Sequence, residues 1–268
     1  MQKGTRTKKK TPRSSLCEEV AFTVPKGWEG LPQEQLHYIV RLLWLYGETP
    51  DWQQRAQTAA LMHFCGIEVV NRTDKGWLCR IRKTGEAFLL DPDLLPSMCE
   101  QVEWICRTEE MTDRIEQVGR FKATDFTLRS LPFGEYLEAE NHYQAFLIER
   151  TPEKLVPLAR ILYGVPEKVD APELCEEYLL GTFFWYTAAK QVLGKWFPNF
   201  LKKTDVGGQE GTQRSQHEST LAQIRLLTKG DVTKQEYILQ KTDTWTALAE
   251  LDALAREAEE IKRKYGKP

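Results

Sequence analysis

The side chains that most often carry enzyme chemistry are thinly spread along this chain. Its four histidines are His37, His63, His142 and His217, and they fall in segments assigned to different elements. General acid–base catalysis needs such groups within hydrogen-bond reach of the reacting atoms. His37 and His142 lie on or beside apolar helical faces, where packed histidines are common. We interpret them as structural, with a catalytic role as the second interpretation.

Cysteine spacing gives no sign of a metal or redox site. The six cysteines are Cys17, Cys65, Cys79, Cys99, Cys106 and Cys175. None forms a C-x-x-C pair, the spacing typical of zinc and redox sites. His63 and Cys65 are two residues apart on a helical segment, and side chains at that spacing do not face each other. The sequence therefore predicts reduced, buried cysteines and no metal ligands.

Known catalytic motifs are also missing. Glu135, Glu138 and Glu140 could supply paired carboxylates, but their spacing spreads them around the outside of an amphipathic helix. The sequence contains no phosphate-binding loop, dinucleotide fingerprint, zinc-protease motif or serine elbow. We therefore expect a protein that is not an enzyme, with no catalytic residues and no cofactor.

Composition narrows the remaining classes of function. Hydrophobic residues make up 41% of the 268 positions, and 37 basic against 39 acidic residues leave a formal net charge of -2. That balance counts against a dedicated nucleic-acid binder. The N-terminus has no apolar run after its basic residues, and the most apolar segment, GTFFWYTAAKQVLGKWF, is too short for a bilayer span. We expect no membrane association and a cytoplasmic location.

Changes in composition predict five segments. An α+β fold, mainly α, is expected, with an N-terminal helical hairpin and small antiparallel sheet, a helical middle domain and tethered C-terminal helices. Glycine-rich polar sequence precedes the last helices and is typical of a linker. The predicted segments are a disordered basic arm at 1–15, an α+β domain at 16–110, a helical domain at 121–200, a flexible linker at 201–218 and a C-terminal helical module at 219–268.

The elements of the first half follow from hydrophobic period and turn residues. Helices are expected from Pro32 to Gly47 and from Thr49 to Gly66. Three short apolar runs separated by NRTDKG and KTG then predict an antiparallel meander. A further helix, from about Pro92 to Arg107, is expected to cover this sheet.

The C-terminal module is predicted to bind a partner. Thr233 to Glu236 matches a capping box, and a final helix is expected to begin near Asp243 or Thr244. That helix carries an apolar stripe on a unit too small to bury it. The stripe could instead pack back on the middle domain or self-associate as a short coiled coil. The candidate partner-binding residues are Trp245, Leu248, Leu251, Leu254 and Ile261.

Three stretches carry a resemblance to a known family. LTKGDVTKQEYILQKTDTWTALAELDALAREAEE, with LPFGEYLEAENHYQAFLI and LARILYG upstream, resembles tail assembly chaperones and related tail-morphogenesis proteins of long-tailed bacteriophages and prophages. The resemblance covers about the second half of the chain. The region before residue 110 has no counterpart in it.

The resemblance implies a non-enzymatic assembly factor in the cytoplasm of the bacterial host. Its partner would be a tape measure protein or a tail tube protein, bound through the C-terminal amphipathic helices. Two alternatives stay open: a virion connector or adaptor that forms a homo-oligomeric ring, and a nucleic-acid-associated protein that uses the basic arm from Lys3 to Arg13.

Overall fold

The computed structural model describes residues 22–170, 174–201 and 213–266, with side chains in the last range from residue 218 onward. This part of the chain has an α+β fold that is mainly α. Its strands form a three-stranded and a two-stranded antiparallel sheet. The predicted arm at 1–15 and most of the predicted linker lie outside the described residues.

The first two helices form the expected hairpin. Helix α1 spans Gln33–Tyr46 and helix α2 spans Trp52–Phe64. Pro32 precedes α1, and the Gly47 amide closes it by donating to the carbonyl of Leu43 at 2.9 Å. The buried face of α1 repeats at three- and four-residue intervals, as an amphipathic helix requires. It consists of Leu36, Ile39, Val40, Leu42 and Leu43.

The predicted meander is confirmed. Strands β1 (Ile67–Thr73), β2 (Gly76–Ile81) and β3 (Ala87–Leu90) pair in the order β1-β2-β3, all antiparallel. Cys79 faces Val69 on one side and Phe88 on the other. The inner face of this sheet packs on α2 and forms a small second core that includes Leu61, Cys79 and Cys99.

The single helix predicted at 92–107 is wrong. The segment divides into a 3₁₀ turn at Pro92–Leu94, helix α3 at Leu95–Cys99 and a second 3₁₀ stretch at Glu100–Cys106. Val102 leaves the helical region with φ −119°. This break turns Trp104 inward, where its indole N–H donates to the carbonyl of Pro25 at 2.9 Å. Packing of a buried tryptophan therefore outweighs helical periodicity.

The middle of the chain is helical after a short two-stranded hairpin. Strands β4 (Gln117–Val118) and β5 (Phe121–Lys122) pair with each other. The helices that follow are α4 (Phe133–Glu149), α5 (Leu155–Leu162) and α6 (Glu176–Trp196).

One cluster of buried residues joins segments that the sequence analysis assigned to different domains. It includes Val40 of α1, Tyr163 after α5 and Leu248 near the C-terminus. At Gly181 the backbone of α6 comes so close to α1 that an added Cβ would lie 3.1 Å from a methyl group of Val40. The buried core is therefore continuous across the predicted domain boundary at residues 110–121.

Three helices complete the chain. They are α7 (Gln213–Thr228), α8 (Gln235–Lys241) and α9 (Thr244–Tyr265). Helix α9 begins where predicted, because the Asp243 carboxylate accepts a hydrogen bond from the Thr246 amide at 3.0 Å. The predicted capping box at Thr233 is wrong. Asp231 caps the turn instead, accepting from the amide and hydroxyl of Thr233 at 3.0 and 2.6 Å.

The C-terminal helices are docked on the core, which corrects the prediction that they are only tethered. The amide and hydroxyl of Thr244 both donate to the carbonyl of Leu131, at 2.9 and 2.7 Å. The Phe133 amide donates to the carbonyl of Thr242 at 2.9 Å. Thr244 is fully buried, so these bonds are shielded from water and fix the start of α9 against the start of α4.

Helix α9 is attached to the body at a second point, Asp252, two turns after its start. The Asp252 carboxylate accepts hydrogen bonds from the amide and side chain of Asn199, at 2.7 and 2.8 Å, and from the Phe200 amide at 3.0 Å. Asp252 thereby ties α9 to the segment that follows α6. None of the helices in the described part of the chain has the length and hydropathy that a bilayer crossing requires.

Candidate functional site

The five residues predicted to bind a partner divide into two groups along α9. Leu248 and Leu251 are 0% and 1% exposed and belong to the main core. They cannot form an exposed binding face in this conformation, so the prediction is corrected for both. The physical reason is the docking at Leu131 and Asp252, which turns the first two turns of α9 against the body of the protein.

Trp245 is half-buried and packs mainly within the chain. Its ring lies 5.1 Å from Phe197 and 5.6 Å from Trp196, and the guanidinium of Arg129 lies 4.4 Å from its centre. Such aromatic and cation–π contacts each contribute about 0.5–1.5 kcal/mol. Trp245 therefore holds α9 against the end of α6 and leaves only part of its surface to a partner.

The distal part of α9 is free of the body. From Arg256 to Gly266 every residue except Glu259 is exposed, and we call Arg256–Tyr265 the α9 tip. Leu254, at the base of the tip, is partly exposed, while Ile261 and Tyr265 are 59% and 81% exposed. With Ala258 these residues follow a 4-3-4 spacing, which places them on one helical face. Partner binding by Leu254 and Ile261 stays a prediction.

A groove that sequence reasoning did not anticipate opens beside the ends of α1, α2, α4 and α6. Its volume is about 680 Å³, within the range of concave binding sites. One wall comes from the last residues of α1 and the first of α2, and the opposite wall from Phe146 of α4 and Phe184 of α6. We call it the α1–α6 groove.

Two exposed apolar side chains of α1 stand at the groove. Trp44 and Leu45 are 43% and 56% exposed, although they follow directly after the buried Leu42 and Leu43. At 100° per residue Leu45 lies on the side of α1 opposite its buried face, and Trp44 lies at the border of that face. The available signal was Leu45, because an apolar residue on the outer side of an amphipathic helix, beside a tryptophan at the border, indicates a second contact surface.

The rim of the groove carries more negative than positive charge. Four exposed carboxylates, Glu48, Glu109, Glu153 and Glu176, line it or directly adjoin lining residues. Among the described residues none of the four forms an ion pair, although Glu176 accepts a hydrogen bond from the Trp44 indole at 3.2 Å. Arg150 is the cation of the lining and has no carboxylate partner there either. Two further cations adjoin lining residues, Arg107 and Lys154, and they pair with Glu110 and Glu149.

Cys106 contributes a half-buried thiol to the groove lining. The side-chain amide of Gln57 donates to its sulfur at 3.6 Å. Burial raises the pKa of the Cys106 thiol, so it stays protonated near neutral pH and is a poor nucleophile. This thiol is unsuited to nucleophilic catalysis, but its rate of alkylation can show whether the groove is occupied.

The most developed polar cluster away from the groove joins α4 to α6. The Glu140 carboxylate accepts hydrogen bonds from the Lys190 ammonium and from the Tyr186 hydroxyl, the latter at 3.3 Å. The Lys190 nitrogen also lies 4.5 Å from the centre of the Tyr143 ring. Because each charged group has its partner, the cluster acts as a cross-link between two helices.

The histidines with described side chains pack against aromatic rings or lie apart from one another. His63 stacks on Tyr38 at 3.7 Å and His37 meets Tyr178 edge-on at 5.4 Å. Burial lowers the pKa of both, and of His142, while the side chain of His217 lies outside the described residues. The described side chains include no group of three or more His, Cys, Asp or Glu placed to share a metal ion.

The geometry therefore offers two surfaces suited to protein contact, the α1–α6 groove and the α9 tip. No protein-family model, curated protein or solved structure matches this chain.

Proposed function

We propose that this protein is a non-enzymatic assembly factor of a bacteriophage tail, acting in the cytoplasm of the bacterial host. It holds a tape measure protein or a tail tube protein by an apolar helical segment of that client. The α1–α6 groove carries the proposal, and the resemblance of the second half of the chain to tail-morphogenesis proteins suggests the client.

The size and lining of the groove fit an amphipathic helix. In helix-in-groove recognition, apolar residues at three- and four-residue spacing enter a hydrophobic cleft. Trp44, Leu45 and Phe184 provide such a cleft at the surface. Because about half of the Leu45 surface is exposed, covering it would contribute about 1 kcal/mol. The unpaired carboxylates of the rim favour a client helix whose polar side is basic.

Co-expression tests the proposal directly. The chain is produced with the tape measure protein and, separately, with the tail tube protein of the same genome, and each pair is purified through a tag on this chain. We expect one of them to co-purify and to stay soluble. Leu45→Asp should remove it, because an unpaired carboxylate would be buried in an apolar contact.

A matched control separates the groove from general surface effects. Leu89 on the outer face of β3 is 50% exposed, close to the 56% of Leu45, so Leu89→Asp places the same charge on a similarly exposed leucine elsewhere. It should leave co-purification unchanged. The proposal fails if neither tail protein is retained, or if Leu45→Asp retains it as well as the unchanged chain does.

A further inference from the structure

We propose that the α9 tip of one copy of this protein docks in the α1–α6 groove of a second copy. This pairing needs no client. It can therefore fail while the proposed function holds, and the proposed function can fail while the pairing holds.

The tip has the form that such a groove accepts. It is helical to Tyr265 and presents Ala258, Ile261 and Tyr265 on the face that Leu254 begins at its base. Ile261 and Tyr265 are outside the main core and are largely open to water. At 1.5 Å per residue the ten residues of the tip extend about 15 Å beyond the docked part of α9, long enough to place two or three side chains in a cleft.

The charges of the α9 tip and of the groove rim are opposite in sign where the two would meet. Lys262, Arg263 and Lys264 occupy the last turn of α9, beside the apolar face of the tip. The groove rim presents the four carboxylates already described, none of them in an ion pair among the described residues, against the unpaired cation Arg150. The adjoining cations Arg107 and Lys154 are already paired with Glu110 and Glu149. The last turn of the tip is therefore attracted to the groove rim, although Glu257, Glu259 and Glu260 earlier in the tip leave its net charge small.

A second copy, rather than the same chain, must supply the tip. Helix α9 is continuous from Thr244 to Tyr265, and its first turns are fixed by Leu131 and Asp252. The tip therefore has one direction relative to the body, and in that direction every residue from Arg256 to Gly266 except Glu259 is exposed. Folding it back on its own groove would require breaking the helix.

Docking of a tip into a different surface is a heterologous contact. Each copy offers one tip and one groove, so the contacts repeat head to tail and give chains or closed rings rather than two-fold dimers. The contact is small, below the size of a standard stable interface, and is expected to be weak and dependent on concentration.

Sedimentation velocity and native mass measurement of the full chain test this. Between about 1 and about 200 µM, which covers dissociation constants in the micromolar range, we expect the mass to rise through dimer and trimer. Raising the salt concentration should reduce association, because exposed charges are screened. Ile261→Asp in the tip and Leu45→Asp in the groove should each weaken association at least tenfold, and Leu89→Asp should not.

Mixing the two defective variants gives the decisive result. The Ile261→Asp chain keeps an intact groove and the Leu45→Asp chain keeps an intact tip, so together they should form a one-to-one heterodimer that grows no further. Both positions are more than half exposed, and circular dichroism checks that each variant is folded. A chain that stays monomeric throughout this range, variants that associate like the unchanged chain, or a mixture that stays monomeric would each overturn the proposal.

Discussion

Leu248→Ala tests whether the C-terminal helices belong to the core. Leu248 is fully buried, so the change removes its side chain from a packed site and leaves a cavity. Buried leucine-to-alanine changes cost about 3–5 kcal/mol. We take the lower value, about 3 kcal/mol, as the minimum loss expected for a fully buried leucine.

The measurement is thermal unfolding followed by circular dichroism, with Ile261→Ala as the matched control on the same helix. For a chain of this size about 3 kcal/mol lowers Tm by about 6–12 °C. Ile261 is 59% exposed, so its replacement should change stability by less than about 0.5 kcal/mol. If Leu248→Ala shifts Tm no more than Ile261→Ala does, α9 is not docked and the partner-binding role first assigned to Leu248 regains support.

Three further predictions concern single positions. Burial alone raises the pKa of the Asp125 carboxyl, but hydrogen bonds from the residues that follow it outweigh this and hold that pKa below its ordinary value. The stability contributed by Asp125 is therefore present above its unfolded pKa, near 3.9, and is lost as pH falls below that value; Asp125→Asn should flatten this part of the acid-unfolding profile. Gly181→Val should lower the free energy of unfolding by about 1–3 kcal/mol, measured in urea, because the added side chain overpacks the contact with α1. Alkylation of Cys106 should slow several-fold when the groove is occupied, as followed by peptide mass analysis.

Local signals in the sequence were sufficient for much of the fold. The buried repeat of α1, the apolar runs of β1 to β3 between turn residues and the start of α9 at Thr244 each depend on residues close together in the chain. Their prediction therefore needed no knowledge of the tertiary structure. The helix expected at 92–107 failed because the burial of Trp104 depends on Pro25, 79 residues away.

The candidate site depended on distant contacts to a greater degree. Leu248 and Ile261 are both apolar residues on one stripe of α9, and the local sequence does not distinguish them. Their different exposure follows from the bond between Thr244 and Leu131, which are 113 residues apart. The groove likewise needs walls from four helices, and only Leu45, with Trp44 beside it, was visible in the sequence.

The two attachments of α9 have a consequence for how the protein can be built. Asp252 of α9 bonds to Asn199 and Phe200, and Thr244 at the start of α9 bonds to Leu131. The segments before residue 202 and after residue 212 are therefore joined by non-covalent contacts as well as by the peptide chain. A protease cut in that interval should leave a nicked protein that migrates as one particle. The same property makes 1–201 and 213–268 a natural split pair, in which reassembly of two separately produced fragments could report when and where the chain is folded.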